Sequence, residues 1–183
     1  KSYGHIARVL DIGADALLLQ MLGSAEEARQ IVSYMKYAPE GGRGIALGIA
    51  HDRYRPGPAA EKLAAANAHV ACIPLIETRE GIENIDEIVA VEGVDGIWIG
   101  HFDLSCSLGF PGQFAHPDFQ AAVDKVLAAT KKHGKSAGRM VSSAEEGVEL
   151  FRAGFDVICY SADVFIMQTA IESGIAAIRK GCE

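Results

Sequence analysis

The chain has 183 residues, 49% of them hydrophobic, with a formal charge of −7 and an isoelectric point near 5.4. That length supports one domain with a sizeable core, and an acidic balance without a Lys/Arg cluster excludes a nucleic-acid or anionic-membrane surface as the main partner. No apolar run is long enough to span a bilayer, and the widely spaced Cys72, Cys106, Cys159 and Cys182 form no CxxC, which excludes zinc-knuckle and dithiol chemistry and suits a cytoplasmic protein with reduced thiols.

The sequence opens at Lys1 directly into a helical pattern over 4–12, followed by an apolar strand at 16–21. Ser24 and Glu27 form a capping box that starts a helix over 24–36. From Pro39 to Pro58 the chain is rich in glycine and arginine and reads as a long loop with one short strand at 44–47. Arg43, His51 and Arg53 in this loop either meet an anionic substrate or are simply solvated. A helix over 58–68 then precedes a strand at 70–76, and a helix over 81–91 precedes a strand at 95–100 that contains Trp98, a core residue by composition. A helix over 117–133 and a strand at 136–141 follow, with Arg139 directed either at the strand ends or at Asp163. A second capping box, Ser143 with Glu146, starts a helix over 143–153 before the last strand at 156–161. The segment 163–180 carries a wide apolar stripe that packs on its own fold or on a partner.

Three of these strands share an entry. Gly13, Gly93 and Gly154 each end a helix, and each is followed two residues later by an aspartate (Asp15, Asp95, Asp156) and an apolar run. Glycine at that point takes the left-handed conformation that closes a helix. Unequal separations exclude a solenoid, whereas short helix-to-strand loops suit a parallel α/β fold whose sheet is covered by helices. Strand–helix units build either a barrel or an open doubly wound sheet, and five strands are too few to close an eight-stranded barrel. No GxGxxG or GxxxxGK[ST] follows any strand, which disfavours a nucleotide-binding domain.

In parallel α/β folds, reactive groups collect at the carboxyl ends of strands. Two strand ends carry carboxylates: Cys72-Ile-Pro-Leu-Ile-Glu77 and Gly96-Ile-Trp-Ile-Gly-His-Phe-Asp103, the second delivering Asp103 at the start of a short helical turn. Adjacent strand ends can bring both carboxylates to one point, which suits Mg²⁺ or Mn²⁺ with water and a chelating substrate in the remaining positions. The spacing equally allows Glu77 to cap the next helix and Asp103 to be its own N-cap.

The runs Ile76-Glu-Thr-Arg-Glu-Gly-Ile-Glu-Asn-Ile, Val91-Glu-Gly-Val-Asp-Gly-Ile-Trp-Ile-Gly, Asp103-Leu-Ser and His116-Pro117, with Leu10-Asp-Ile-Gly and Ala25-Glu-Glu-Ala-Arg, resemble the HpcH/HpaI family of metal-dependent class II aldolases over nearly the whole chain. The resemblance implies a (β/α)₈ TIM barrel in one domain, 1–183, to which this chain supplies roughly strands 4 to 8 and the C-terminal helices, the N-terminal strands being absent. It further implies a lyase that cleaves a 4-hydroxy-2-oxo acid to pyruvate and an aldehyde, or a citrate-synthase-like or acyl-CoA lyase relative using the same site, or a barrel that has lost catalysis. Glu77 and Asp103 would hold Mg²⁺, Mn²⁺ or Co²⁺, the N–H groups of Phe102 and Asp103 would hold the substrate carboxylate, and Asp11 matches an aspartate that supports the catalytic histidine. That histidine and an enolate-neutralising arginine lie on earlier strands in the family. Two residues depart from its pattern: Phe102 stands where a small residue is usual, and Leu75 stands where some members place a substrate-binding glutamine. The last helix is expected to pass between subunits of a homo-oligomer, a hexamer built from dimers.

Overall fold

The computed structural model describes residues 1–182. Five strands, β1 (Ala16–Leu19), β2 (Ala71–Ile76), β3 (Gly96–Ile99), β4 (Ser136–Val141) and β5 (Val157–Tyr160), lie side by side in chain order, and every neighbouring pair is parallel. Parallel crossovers are right-handed, so a strand order that never reverses puts all connecting helices on one face. A doubly wound sheet needs a reversal point and helices on both faces. The order therefore selects the barrel type of winding, as an open half-barrel.

The helices are α1 (Tyr3–Asp11), α2 (Ala25–Met35), α3 (Ala59–His69), α4 (Arg79–Glu83), α5 (Ile85–Val89), α6 (His101–Leu108), α7 (Pro117–His133), α8 (Ala144–Ala153) and α9 (Asp163–Cys182), with a single 3-10 turn at Ala50–Asp52. Side chains alternate across a strand. Cys72, Ile76, Ile97, Ile99 and Ala137 face the helices and join Leu10, Ile31, Ile88, Phe119 and Val126 in one buried cluster. The alternate residues face the inner side. Trp98, expected in the core, is one of them: it is partly exposed and lies flat against β4, where a Cβ on Gly138 would come within 2.6 Å of its ring.

The shared strand entry holds at Gly13 and Gly154, which close α1 and α8, whereas Gly93 lies in the turn after α5 has ended at Ala90. Gly13, Gly93 and Gly154 have φ of 101°, 88° and 115°. The aspartates that follow act across the sheet: Asp95 accepts from the Cys72 N–H and Asp156 from the Ala137 N–H, each at 2.8 Å, tying one strand's start to its neighbour's. Asp15 departs from the pattern and pairs with His69 instead, at 2.7 Å.

Other expectations need correction. The helix expected over 81–91 is split into α4 and α5 at Asn84, whose side-chain amide turns to donate to the Gly23 carbonyl at 2.8 Å. No strand forms at 44–47, because the loop is held by side chains rather than by a neighbouring ladder. In both capping boxes the serine accepts from the glutamate N–H, but the glutamate reaches one residue further back, to the N–H of Gly23 or Ser142. Neither α8 nor α9 has a buried residue, and Phe151, Phe165, Ile166, Met167 and Ile171 are exposed. No described helix is long and apolar enough to cross a membrane.

Candidate active site

Glu77 directly follows β2, and alternation turns it to the inner side together with Leu75. It does not cap α4: Thr78 does, accepting from the Gly81 N–H at 3.0 Å. Glu77 is 5% exposed, and its Oε1 accepts from the Met21 N–H at 2.7 Å. Met21 lies just beyond β1 in the left-handed region, with φ of 54°. The other oxygen, Oε2, is packed under Gly100, where a Cβ would sit only 2.5 Å from it.

Asp103 stands in the first turn of α6, which is a helix of 8 residues rather than a single turn. Its N-cap is Gly100, which brings no side-chain cap, so Asp103 is not its own N-cap and the first N–H groups of α6 are left open for a ligand. Burial pushes the Glu77 carboxyl above the usual carboxylate range, the Met21 N–H and Lys1 oppose this, and the negative charge of Asp103 adds to the rise. Glu77 and Asp103 thus stand at the carboxyl ends of the neighbouring strands β2 and β3, on the side where the charge of one is felt at the other.

A buried carboxylate with a free oxygen, faced by a second carboxylate, is stabilised by a cation between them. The donors are all oxygen, which suits a hard divalent ion. Among the described residues no cluster of three or more His, Cys, Asp or Glu gathers to hold a metal. Two carboxylates are enough for Mg²⁺ or Mn²⁺, which keep positions for water and substrate. The residues fit the ion.

Phe102 is 59% exposed, meets Phe114 edge-on (centroids 5.0 Å apart) and lies tilted against His101 (4.7 Å), forming an aromatic wall next to Asp103. Leu75 is partly exposed on the inner side of β2, opposite Trp98. His101 packs between Phe102 and Phe114, and burial, helped by Arg139, pushes its pKa down. Arg139 meets neither alternative left open by the sequence cleanly: its ion pair is with Glu146, at 3.3 Å, and not with Asp163.

Asp11 is not brought to this pair. It ends α1, ahead of β1, so it lies toward the amino end of the sheet while Glu77 lies at the carboxyl end. There it accepts from Arg43 Nη2 at 2.5 Å. Arg43, expected in a loop open to solvent or substrate, has a side chain only 1% exposed and stacks 4.6 Å from the Tyr37 ring centroid. His51 likewise serves the loop, bonding the Ala46 carbonyl at 2.6 Å, and Arg53 is exposed. Reading the sequence alone missed Met21 and Gly100. Gly100 has a signal, a glycine between a strand and a helix; Met21 acts through its backbone and has none.

The family model for HpcH/HpaI aldolase/citrate lyase matches residues 2–167. The chain belongs to this family. A 2-keto-3-deoxy-L-rhamnonate aldolase of Escherichia coli is 33% identical over 176 residues, covering 96% of this chain and 66% of that protein. The chain thus spans just under two thirds of the length of these curated relatives. The crystal structure of an HpcH/HpaI aldolase from Desulfitobacterium hafniense DCB-2 superposes with a TM-score of 0.92 at 32% identity, over 98% of this chain and 69% of that one. The crystal structure of the citrate synthase SbnG gives 0.82 at 27% identity, over 97% and 69%.

Proposed function

We propose that the protein is a metal-dependent carbon–carbon lyase that cleaves a 4-hydroxy-2-oxo acid reversibly to pyruvate and an aldehyde, its five strands standing as strands 4 to 8 of an eight-stranded barrel. The observation that carries this reading is the placement of Glu77 and Asp103 at the carboxyl ends of the neighbouring strands β2 and β3, beside the open start of α6. Aldol cleavage leaves an electron pair on the carbon next to the keto group, which moves onto the keto oxygen as an enolate. Glu77 and Asp103 would hold a Mg²⁺, Mn²⁺ or Co²⁺ ion, which would supply positive charge for that oxygen. The N–H groups of Phe102 and Asp103 hold the substrate carboxylate at the helix start. Met21 and Gly100 hold the Glu77 carboxylate in place, the first by its N–H and the second by having no Cβ. Phe102 narrows the side on which the aldehyde leaves, and Leu75 offers that side no polar contact, so both shape acceptor preference. The exposed stripe of α9 supports assembly into a homo-oligomer.

The similarity to a citrate synthase favours a second reading, in which the same pair supports condensation or acyl-CoA lysis. Pyruvate release from 4-hydroxy-2-oxo acids, measured beside consumption of oxaloacetate and of an acyl-CoA, separates the two. Calorimetric titration of Mn²⁺ and oxalate, an enolate mimic, tests what they share. Oxalate is expected to bind only with the metal, and Glu77→Gln is expected to weaken Mn²⁺ on the order of 100-fold; oxalate binding that ignores the metal overturns both.

A further inference from the structure

The Asp103-Leu104-Ser105 run carries a second polar residue besides its carboxylate. Ser105 has no exposed surface, and the other buried residues of α6, Leu104 and Leu108, are apolar. A hydroxyl in such a place is costly unless its donor and its acceptor are both used. Both are. Ser105 Oγ donates to the Phe102 carbonyl at 2.7 Å and accepts from the Gly112 N–H at 2.9 Å.

A helical serine that donates to a carbonyl one turn back is common, and on its own it slightly destabilises the helix. Two circumstances set this one apart. The first is which carbonyl it meets. The Phe102 C=O and the Asp103 N–H belong to one planar peptide group, so a hydrogen bond onto the oxygen fixes the direction of the N–H and polarises it into a stronger donor. The second is the bare N-cap. A serine or aspartate there would accept from the N–H of Phe102 or Asp103, the second and third residues of α6. Gly100 brings no such side chain, so those N–H groups stay free and the turn loses the support of a cap. Ser105 supports the same turn from its carbonyl side and consumes none of the free donors.

The loop after α6 is shaped to serve this bond. Gly109 ends the helix at φ of 95° and Gly112 follows at φ of 71°, both in the left-handed region, which doubles the chain back onto the middle of its own helix. Because the Gly112 N–H occupies a lone pair of Oγ, the hydroxyl proton is left for the Phe102 carbonyl.

We propose that Ser105 is a positioning residue of the candidate site, its hydroxyl, oriented by Gly112, aiming and strengthening the Asp103 N–H that receives the carboxylate of the oxo acid. It touches neither substrate nor metal and acts through the peptide between Phe102 and Asp103. This rests on the lyase reading above.

Two measurements on the protein test this. In the first, Mn²⁺ is titrated calorimetrically into the protein, and oxalate is then titrated into the manganese-saturated form. Ser105→Ala is expected to weaken oxalate about tenfold, the scale of losing a supporting contact, with Mn²⁺ bound as in the parent. A serine that only held the helix together would loosen Asp103 with it and weaken both. Since alanine leaves the Gly112 N–H without an acceptor, Ser105→Cys is measured beside it: the thiol fills similar space but is a weak donor and acceptor, and the same split is expected. In the second, the amide nitrogen resonance of Asp103 is followed in the metal-free protein. It is expected to move upfield in both variants, and further than that of Phe102, whose peptide carbonyl Ser105 does not touch. Unchanged oxalate binding, an equal loss of Mn²⁺ and oxalate, or an Asp103 resonance that stays in place overturns the proposal. Failure of oxalate to bind the manganese-loaded parent instead sinks the lyase reading, and the Asp103 resonance still judges Ser105.

Discussion

A carboxylate packed against a glycine tolerates little displacement. At Gly100 a Cβ would meet Glu77 Oε2 at 2.5 Å and Glu77 Cβ at 2.9 Å, and the carboxylate is the part that must give way. Gly100→Ala is therefore expected to weaken Mn²⁺ by about tenfold, the scale of losing a supporting contact, while the melting temperature falls little; a variant that binds Mn²⁺ like the parent shows that Glu77 is not so held. The opposite signature is expected at Asp11. Its partner Arg43 is buried, so Asp11→Asn strands a guanidinium and costs about 3 kcal/mol of stability. Its distance from Glu77 along the sheet leaves metal binding intact. Chemical denaturation beside a Mn²⁺ titration separates structural from catalytic roles: a stable variant with lost turnover restores Asp11 to the catalytic set.

At the scale of elements, α7 is fastened to α5 by charge as well as by packing. Asp86 accepts from Lys132 at 2.7 Å and from His133 at 3.1 Å. The hydrogen bonds from Lys132 and then His133 hold its carboxyl below the ordinary carboxylate range. A depressed folded value means that the stabilisation is fully present above the unfolded carboxylate value and is lost as pH falls through the folded one. Asp86 is exposed, so the effect is small and screened by salt. Thermal melts from neutral to acid pH are expected to show a shallower acid loss in Asp86→Asn than in the parent at low salt, with the difference vanishing in 1 M NaCl. A carboxyl resonance of Asp86 titrating at the ordinary value contradicts this.

Taken whole, the molecule exposes apolar side chains on its two edge strands and along its C-terminal end. Leu18, Val157 and Tyr160 on the strands and Phe165, Met167, Ile171 and Ile175 on α9 are all at least 41% exposed. Exposed apolar side chains in such number favour association. Sedimentation is expected to show a self-associated protein, and Ile171→Glu is expected to shift it toward a smaller species. A monomeric parent rules out α9 as an interface.

Much of this protein was legible in its sequence because the signals are local. Glycine at positions 13 and 154 ends a helix whatever surrounds it, apolar runs became strands, and carboxylates at two strand ends marked the candidate site. The resemblance to the family then turned the pair into a reaction. What depends on neighbours distant in sequence came only with the tertiary structure. Asn84 sits at the break between α4 and α5 with its amide on the Gly23 carbonyl, Arg43 went inside because Asp11 and Tyr37 meet it there, and Trp98 faced inward because Gly138 leaves it room. The strand order separated a barrel wall from a doubly wound sheet, and periodicity contains no record of order. Glu77 and Asp103 were visible as residues, but their placement on one side beside α6 belongs to the fold, since the charge of one reaches the other only once the 25 intervening residues have been folded out of the way.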